Sequence, residues 1–171
     1  MKGYRIKKLT ALDKLKFIKW QKEYEEKIYT DHDYRYNVMY VAPSGILKRV
    51  ASLKRSENEH VYVMYNDDNA LCGWLGYKLV KDKDVLYIKS LFIHPKFQNK
   101  GLGKEFIKMV VENIKKEELP NNIEALVDVE NKRGIKFFES MNVKEKQMIG
   151  SDFIKYVFDS RNMWREKNKQ I

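Results

Sequence analysis

An apolar run over residues 85–94 stops at Pro95, and two glycines, Gly101 and Gly103, then open an amphipathic segment. That junction of strand, loop and helix constrains the chain more than any other feature in it. The loop reads Gln98-Asn99-Lys100-Gly101-Leu102-Gly103. Free N–H groups at a helix start, at the positive end of the helix dipole, suit an anionic phosphate. Glycine at 101 and 103 lets the backbone approach such a ligand with no Cβ in the way. Lys100 and Lys104 add positive charge at the same end. A pyrophosphate-bearing cofactor is the expectation, against the plainer one of an ordinary strand-to-helix turn. The dinucleotide fingerprint would need a third glycine where Phe106 stands, and no G-x-x-x-x-G-K-[ST] run exists, so neither of those phosphate loops applies.

Around this junction the apolar pattern switches between a period of two and a period of 3.6. Residues 4–9 read as a first strand, after which Thr10 or Asp13 caps a helix whose stripe runs from Leu12 to about Tyr29. Residues 30–40 have no clear period and read as a loop; Ser44 starts a second helix carrying Ile46, Leu47, Val50 and Leu53. Strands follow at 61–65, 70–80 and 85–94, joined by the turn signal Asn66-Asp67-Asp68-Asn69 and a charged turn at 81–84. They predict an antiparallel meander in which Gly73 and Gly76 mark a bulge or close packing. A helix over 101–116 buries Leu102, Phe106, Ile107, Val110, Val111 and Ile114. Beyond Pro120 come a strand at 123–129, a helix at 132–141, and strands at 143–149 and 153–158 about Gly150-Ser151-Asp152. The unit from 85 to 129 predicts a parallel pair with a right-handed crossover. The expectation is one mixed α/β domain over residues 1–171, with a tail from about residue 160.

Composition narrows the function classes. Cys72 is the only cysteine, which excludes an intramolecular disulfide and a cysteine metal cluster, and the three histidines (His32, His60, His94) lie too far apart to suggest a dedicated metal site. No apolar run approaches the roughly 18 residues that cross a bilayer, and the charged start offers no signal peptide. A soluble cytoplasmic protein, without a membrane partner, is expected. The net charge of +10 attracts polyanions in general. Lysines nevertheless alternate with acids, as in Lys22-Glu23-Tyr24-Glu25-Glu26-Lys27, so the charge reads as solvated surface more than as a nucleic-acid face.

The string Leu91-Phe92-Ile93-His94-Pro95-Lys96-Phe97-Gln98-Asn99-Lys100-Gly101-Leu102-Gly103 resembles the acyl-CoA-binding segment of the GCN5-related N-acetyltransferases (GNAT). That family has a strand, a short spacer, then Gln or Arg-x-x-Gly-x-Gly or Ala. A second segment, from Asn131-Lys132-Arg133-Gly134 through Phe137-Phe138 to Asn142-Val143, is similar to the family's Asn-x-x-Ala-x-x-Leu-Tyr-x-x-x-Gly-Phe. The element order agrees across nearly the whole chain. The resemblance implies a mostly antiparallel central sheet with one parallel, splayed strand pair, flanked by helices. Acetyl-CoA (coenzyme A) is the implied cofactor. Main-chain groups of Leu91, Phe92 and Ile93 would pair with its pantetheine arm, an N–H there polarising the acetyl carbonyl. Amides from Asn99 to Lys104, with Gln98, Lys100, Gly101, Leu102 and Gly103 shaping the loop, would hold the pyrophosphate. Asn131 and Phe138 would stand near the thioester end.

The second segment departs from the family at three positions. Gly134 replaces Ala, harmless in volume and costing about 1 kcal/mol in helix propensity. Asn142 replaces Gly, which Asn can do because it tolerates a left-handed backbone. Phe138 replaces the Tyr that often protonates the departing thiolate, leaving the general acid unassigned between water and Tyr36, Tyr87 or Tyr156. For the general base, Leu126 stands where some relatives place Glu. Glu124 and Asp128 share its side of the strand, and Asp128 is preferred. His94 reads as a strand-end polar residue and Cys72 as core. Asp31, Asp33, Tyr34 and Tyr36 in the loop after the first helix either receive a cationic amine or merely pack on the surface. The implied activity is direct acetyl transfer to an amine of a small molecule or a protein, with a homodimer left open. Phe138 supports the alternative of a CoA-binding regulatory or catalytically degenerate protein, and the net charge a less favoured nucleic-acid-binding domain.

Overall fold

A computed structural model of the chain describes residues 3–10, 12–13, 16 and 58–164. Most of the expected first helix, the second helix, and the loop residues Asp31, Asp33, Tyr34 and Tyr36 lie outside them. Seven strands form one mixed sheet among the described residues: β1 (Tyr4–Lys8), β2 (Glu59–Asn66), β3 (Leu71–Val80), β4 (Val85–Ile93), β5 (Asn122–Asp128), β6 (Glu145–Ile149) and β7 (Phe153–Asp159). Their order is β1-β2-β3-β4-β5-β7-β6. Helix α1 (Leu102–Glu112) connects β4 to β5, and α2 (Lys132–Glu139) follows β5.

The meander forms as the turn chemistry requires. Asn69 takes a left-handed φ of 59°, and the Asn66 side chain accepts from the Ala70 N–H at 2.8 Å. Asp84 closes the next turn at φ 53°. Strands β4 and β5 are parallel, the only such pair among the described residues, because α1 carries the chain back across one face. Close packing explains Gly73: a Cβ there would stand 2.2 Å from the Phe92 carbonyl oxygen.

Two elements end two or more residues earlier than the periodicity predicts, and one begins two residues later. Helix α1 stops at Glu112, four residues short. The Asn113 N–H turns back to the Met109 and Val110 carbonyls, each at 3.2 Å, and Ile114 reaches the core from beyond the helix. Helix α2 stops at Glu139, where the Ser140 hydroxyl donates to the Phe137 carbonyl at 2.6 Å. Strand β6 begins at Glu145, because the Val143 N–H folds back onto Met141 at 2.9 Å and its side chain packs inward.

The main core lies between the sheet and the two helices. Phe106, Tyr156, Phe158 and Ile123 are wholly buried there, and each such side chain contributes roughly 1.5–3 kcal/mol by leaving water. On the opposite face Val63, Tyr65, Trp74 and Phe92 form a smaller cluster. Beside it the buried Asp13 accepts from the Tyr65 hydroxyl at 2.6 Å and from the Thr10 N–H at 2.8 Å, and pairs with Lys7 at 3.0 Å. Burial alone would raise its carboxyl pKa, but these hydrogen bonds more than offset that and hold it well below the usual range.

Candidate active site

The site begins with a bulge. Gly76 pairs with Ser90 while Tyr77 pairs with Ile88, so Lys89 is an extra residue in β4. It shifts the alternation by one. Leu86 and Ile88 face the helices before it, Leu91 and Ile93 after it, and Phe92 points to the other face, stacked on Trp74 at 4.4 Å. Pairing of β4 with β5 covers only Val85–Ile88 and Asn122–Ala125 and ends at this bulge. Beyond it the two strands part.

The parted strands line a cavity of about 960 Å³. On β4 the His94 N–H donates to the Cys72 carbonyl at 2.7 Å, which makes Gly73 and Ile93 a widely spaced pair in the antiparallel ladder. By alternation the main-chain groups of Leu91 and Ile93 point away from β3, into the gap. The Ile93 carbonyl already accepts from the Gln98 side-chain amide at 2.7 Å, and Gln98 accepts from Arg133 at 2.5 Å.

At one end of the cavity, α1 starts without a side-chain cap. Gly101 holds φ 74° with nothing within 4 Å of a would-be Cβ, and Asn99 is also left-handed at φ 59°. The first-turn amides therefore stay open to an anion. Gly103 has a different reason from the one read in the sequence: it is buried, and a Cβ would stand 2.7 Å from the Phe137 ring. Its smallness lets α1 and α2 approach.

The expected residues mostly converge. Leu91, Phe92, Ile93, Gln98, Asn99, Gly101, Leu102, Gly103, Lys104, Asp128, Asn131 and Phe138 all line the cavity. Lys100 does not; its ammonium lies over the Phe97 ring at 5.8 Å. Lys104 is committed to the Ser140 carbonyl at 2.7 Å, tying α1 to the end of α2. The cationic wall comes instead from Lys132, Arg133 and Lys136 on α2, which the sequence reading passed over. The i, i+4 spacing of the two lysines on a helix was the available signal.

Asn131 caps α2, accepting from the Gly134 N–H at 2.8 Å. Alanine at 134 would displace this cap, since its Cβ would stand 2.6 Å from the Asn131 Nδ2. Asn142 is not left-handed either; its amide donates to the Asn162 carbonyl at 3.3 Å, which is why a side chain suits the position. Asp128 accepts from the Glu130 N–H at 2.8 Å and shares the outer face of β5 with Glu124 and the exposed Leu126.

Phe138 is buried in a ring stack, 5.7 Å from Tyr156 and 5.9 Å from Phe158. Neither Tyr156 nor Tyr87 lines the cavity, and Tyr36 lies outside the described residues. Burial pushes the Tyr156 hydroxyl up, with the Glu139 carboxylate 3.4 Å away adding to it. His94 accepts from the Lys96 N–H at 3.1 Å as a turn cap. Cys72 is fully buried, which pushes its thiol up.

Comparison with known proteins bears on the fold and the family. An uncharacterized N-acetyltransferase of Methanocaldococcus jannaschii is 30% identical over 78 residues, 46% of this chain and 33% of that protein. The matched stretch thus spans about a third of that relative's length. The spermidine N-acetyltransferase of Vibrio cholerae, crystallised with CoA and spermine, aligns with a TM-score of 0.68 at 13% identity, over 95% of this chain and 99% of that one. An acetyltransferase from Thermus thermophilus aligns at 0.71 and 14% identity, over 92% and 97%. At such identities the likeness is one of fold. The sequence pattern of the Acetyltransferase (GNAT) family matches residues 14–142, a span that holds both walls of the cavity, and the chain belongs to that family.

Proposed function

We propose that this chain is an acetyl-CoA-dependent N-acetyltransferase that transfers the acetyl group directly to an amine. One observation carries the reading: the cavity runs from the uncapped start of α1 to the gap where β4 and β5 part. Open amides fit a pyrophosphate and unpaired strand edges fit an extended amide-bearing arm. The amides of residues 99–104 would hold the diphosphate, with Arg133, Lys132 and Lys136 facing its charge. Leu91 and Ile93 would hold the arm through their main chain, and Asn131 would stand at its far end.

Bound acetyl-CoA would supply a thioester, whose C–S bond breaks as the C–N bond to the amine forms. The chain's own task is the amine proton. Asp128, on the cavity wall with one oxygen accepting from the Glu130 N–H, would take it. No described tyrosine reaches the cavity, so the leaving thiolate, a weak base, takes its proton from water. Phe138 in its aromatic stack favours one second reading, a CoA binder with little turnover.

Titration calorimetry with acetyl-CoA, followed by assay of free thiol across an amine panel, tests both readings. Saturable binding with amine-dependent thiol release is expected. Binding without release would leave the second reading standing; no binding at millimolar cofactor would end both.

A further inference from the structure

The cavity is lined by residues from both faces of the sheet. On the helix side it is walled by Leu102, Gly103, Asn131 and Phe138; on the other side its wall ends at Leu126 and Asp128, past the last β4–β5 pair. What lies beyond that second wall follows from the register. Asp128 is opposite Phe153 on β7, and Phe153 is opposite Ile149 on β6. Directly opposed residues share a face, and Leu126 is the diagonal neighbour of Phe153 on it. Leu126, Phe153 and Ile149 are 40%, 43% and 39% exposed, three of the five large hydrophobic side chains exposed among the described residues. An apolar strip therefore leads away from the Asp128 carboxylate. Lys155 sits in the same face, opposite Leu126 and Gln147.

Resting on the reading above, we propose that this strip is the acceptor subsite, and that the acceptor is a primary amine on an apolar body of about the size of an aromatic ring. The ammonium is drawn to Asp128, and the body covers Leu126, Phe153 and Ile149. A polyamine is a poor match here. Its next charge would fall on apolar groups and beside Lys155, where like charges repel, and the acids of that face, Glu124 and Glu145, stand one rung beyond Lys155. Phe153 and Ile149 lie outside the cofactor cavity, so they can be changed without touching it.

The test compares 2-phenylethylamine with spermidine on the full chain, by thiol release and by direct calorimetry of each amine. Phenylethylamine is expected to be preferred at least tenfold in kcat/KM. Phe153→Ser should raise its KM and Kd about tenfold, the loss of roughly half a ring's burial, with kcat and acetyl-CoA affinity kept and spermidine unaffected. Ile149→Ser should act in the same direction, more weakly. Preference for spermidine, or an equal effect of Phe153→Ser on both amines, overturns the proposal and leaves the acetyltransferase reading intact. So does a dimer that Phe153→Ser dissociates in sedimentation, since a second copy would then cover the strip. If no amine is turned over, Phe153-dependent binding of phenylethylamine upholds the subsite while the catalytic reading falls; absence of that binding overturns the subsite.

Discussion

Two helices begin on the same cavity and begin differently. The start of α2 is closed: the Asn131 side chain accepts from the Gly134 N–H and satisfies the first turn from within. The start of α1 is open: Gly101 caps it without a side chain, in a left-handed conformation, with nothing near. Every helix leaves orphan N–H groups at its start, and they go to a cap, to water or to a ligand. A capped start contributes about 1 kcal/mol to the fold. An uncapped one, beside a cavity, keeps those donors for something else. The contrast thus separates a structural terminus from a binding terminus within one site.

Closing α1 should have the largest effect. Gly101→Asp places a carboxylate at the open amides, where it would repel a diphosphate and compete for its donors. Acetyl-CoA affinity should fall on the order of 100-fold, as expected for loss of a charge-assisted contact. Gly101→Asn carries the same left-handed backbone cost without the charge and should lose only a few-fold. If calorimetry finds the two variants equal, conformation and not charge governs the loop.

Next is Gly103→Val, which tests the packing role. Its Cβ would stand 2.7 Å from the Phe137 ring, so α1 and α2 must part or the ring must turn. A loss of about 1–3 kcal/mol in urea denaturation is expected. Unchanged stability would return Gly103 to the ligand alone. The third effect is smaller. Asn131→Ala should cost about 1 kcal/mol through the lost cap, with a smaller loss of acetyl-CoA affinity than Gly101→Asp causes. The reverse ranking of affinities would exchange the roles of the two termini.

These pairs show what the sequence can and cannot say. Periodicity places each described strand within a few residues, because strands with one buried face must alternate. The two glycines of the loop look alike in sequence, yet one serves a left-handed turn and the other an interhelical contact that only the fold brings about. The Lys89 bulge is faintly legible, since Leu86 and Ile88 give way to Leu91 and Ile93, a phase slip of one residue. Read as one continuous apolar strand, residues 85–94 hide it. Lys100 looks like a phosphate ligand by proximity in sequence, whereas the cations on the cavity wall come from a helix about thirty residues on, a distance that local pattern cannot bridge. The acceptor strip is invisible for the same reason. Leu126, Phe153 and Ile149 become neighbours only through β5–β7–β6 pairing.

Gly134 gives the smallest expected effect and the sharpest use of the contrast. In an isolated helix, Gly to Ala gains about 1 kcal/mol. Here the added Cβ would stand 2.6 Å from the Asn131 Nδ2 and 2.8 Å from its Cγ, so the capping amide must swing away. The cap is worth about as much as the propensity, and Gly134→Ala alone should change stability by under about 0.5 kcal/mol. Without the cap there is nothing left to displace. In the Asn131→Ala background the same substitution should stabilise by nearly the full propensity term, about 1 kcal/mol. A double-mutant cycle in urea reads the difference as a coupling between the two positions. Additive effects would mean that the amide has room to move, and that glycine at 134 is not what allows Asn131 to close α2.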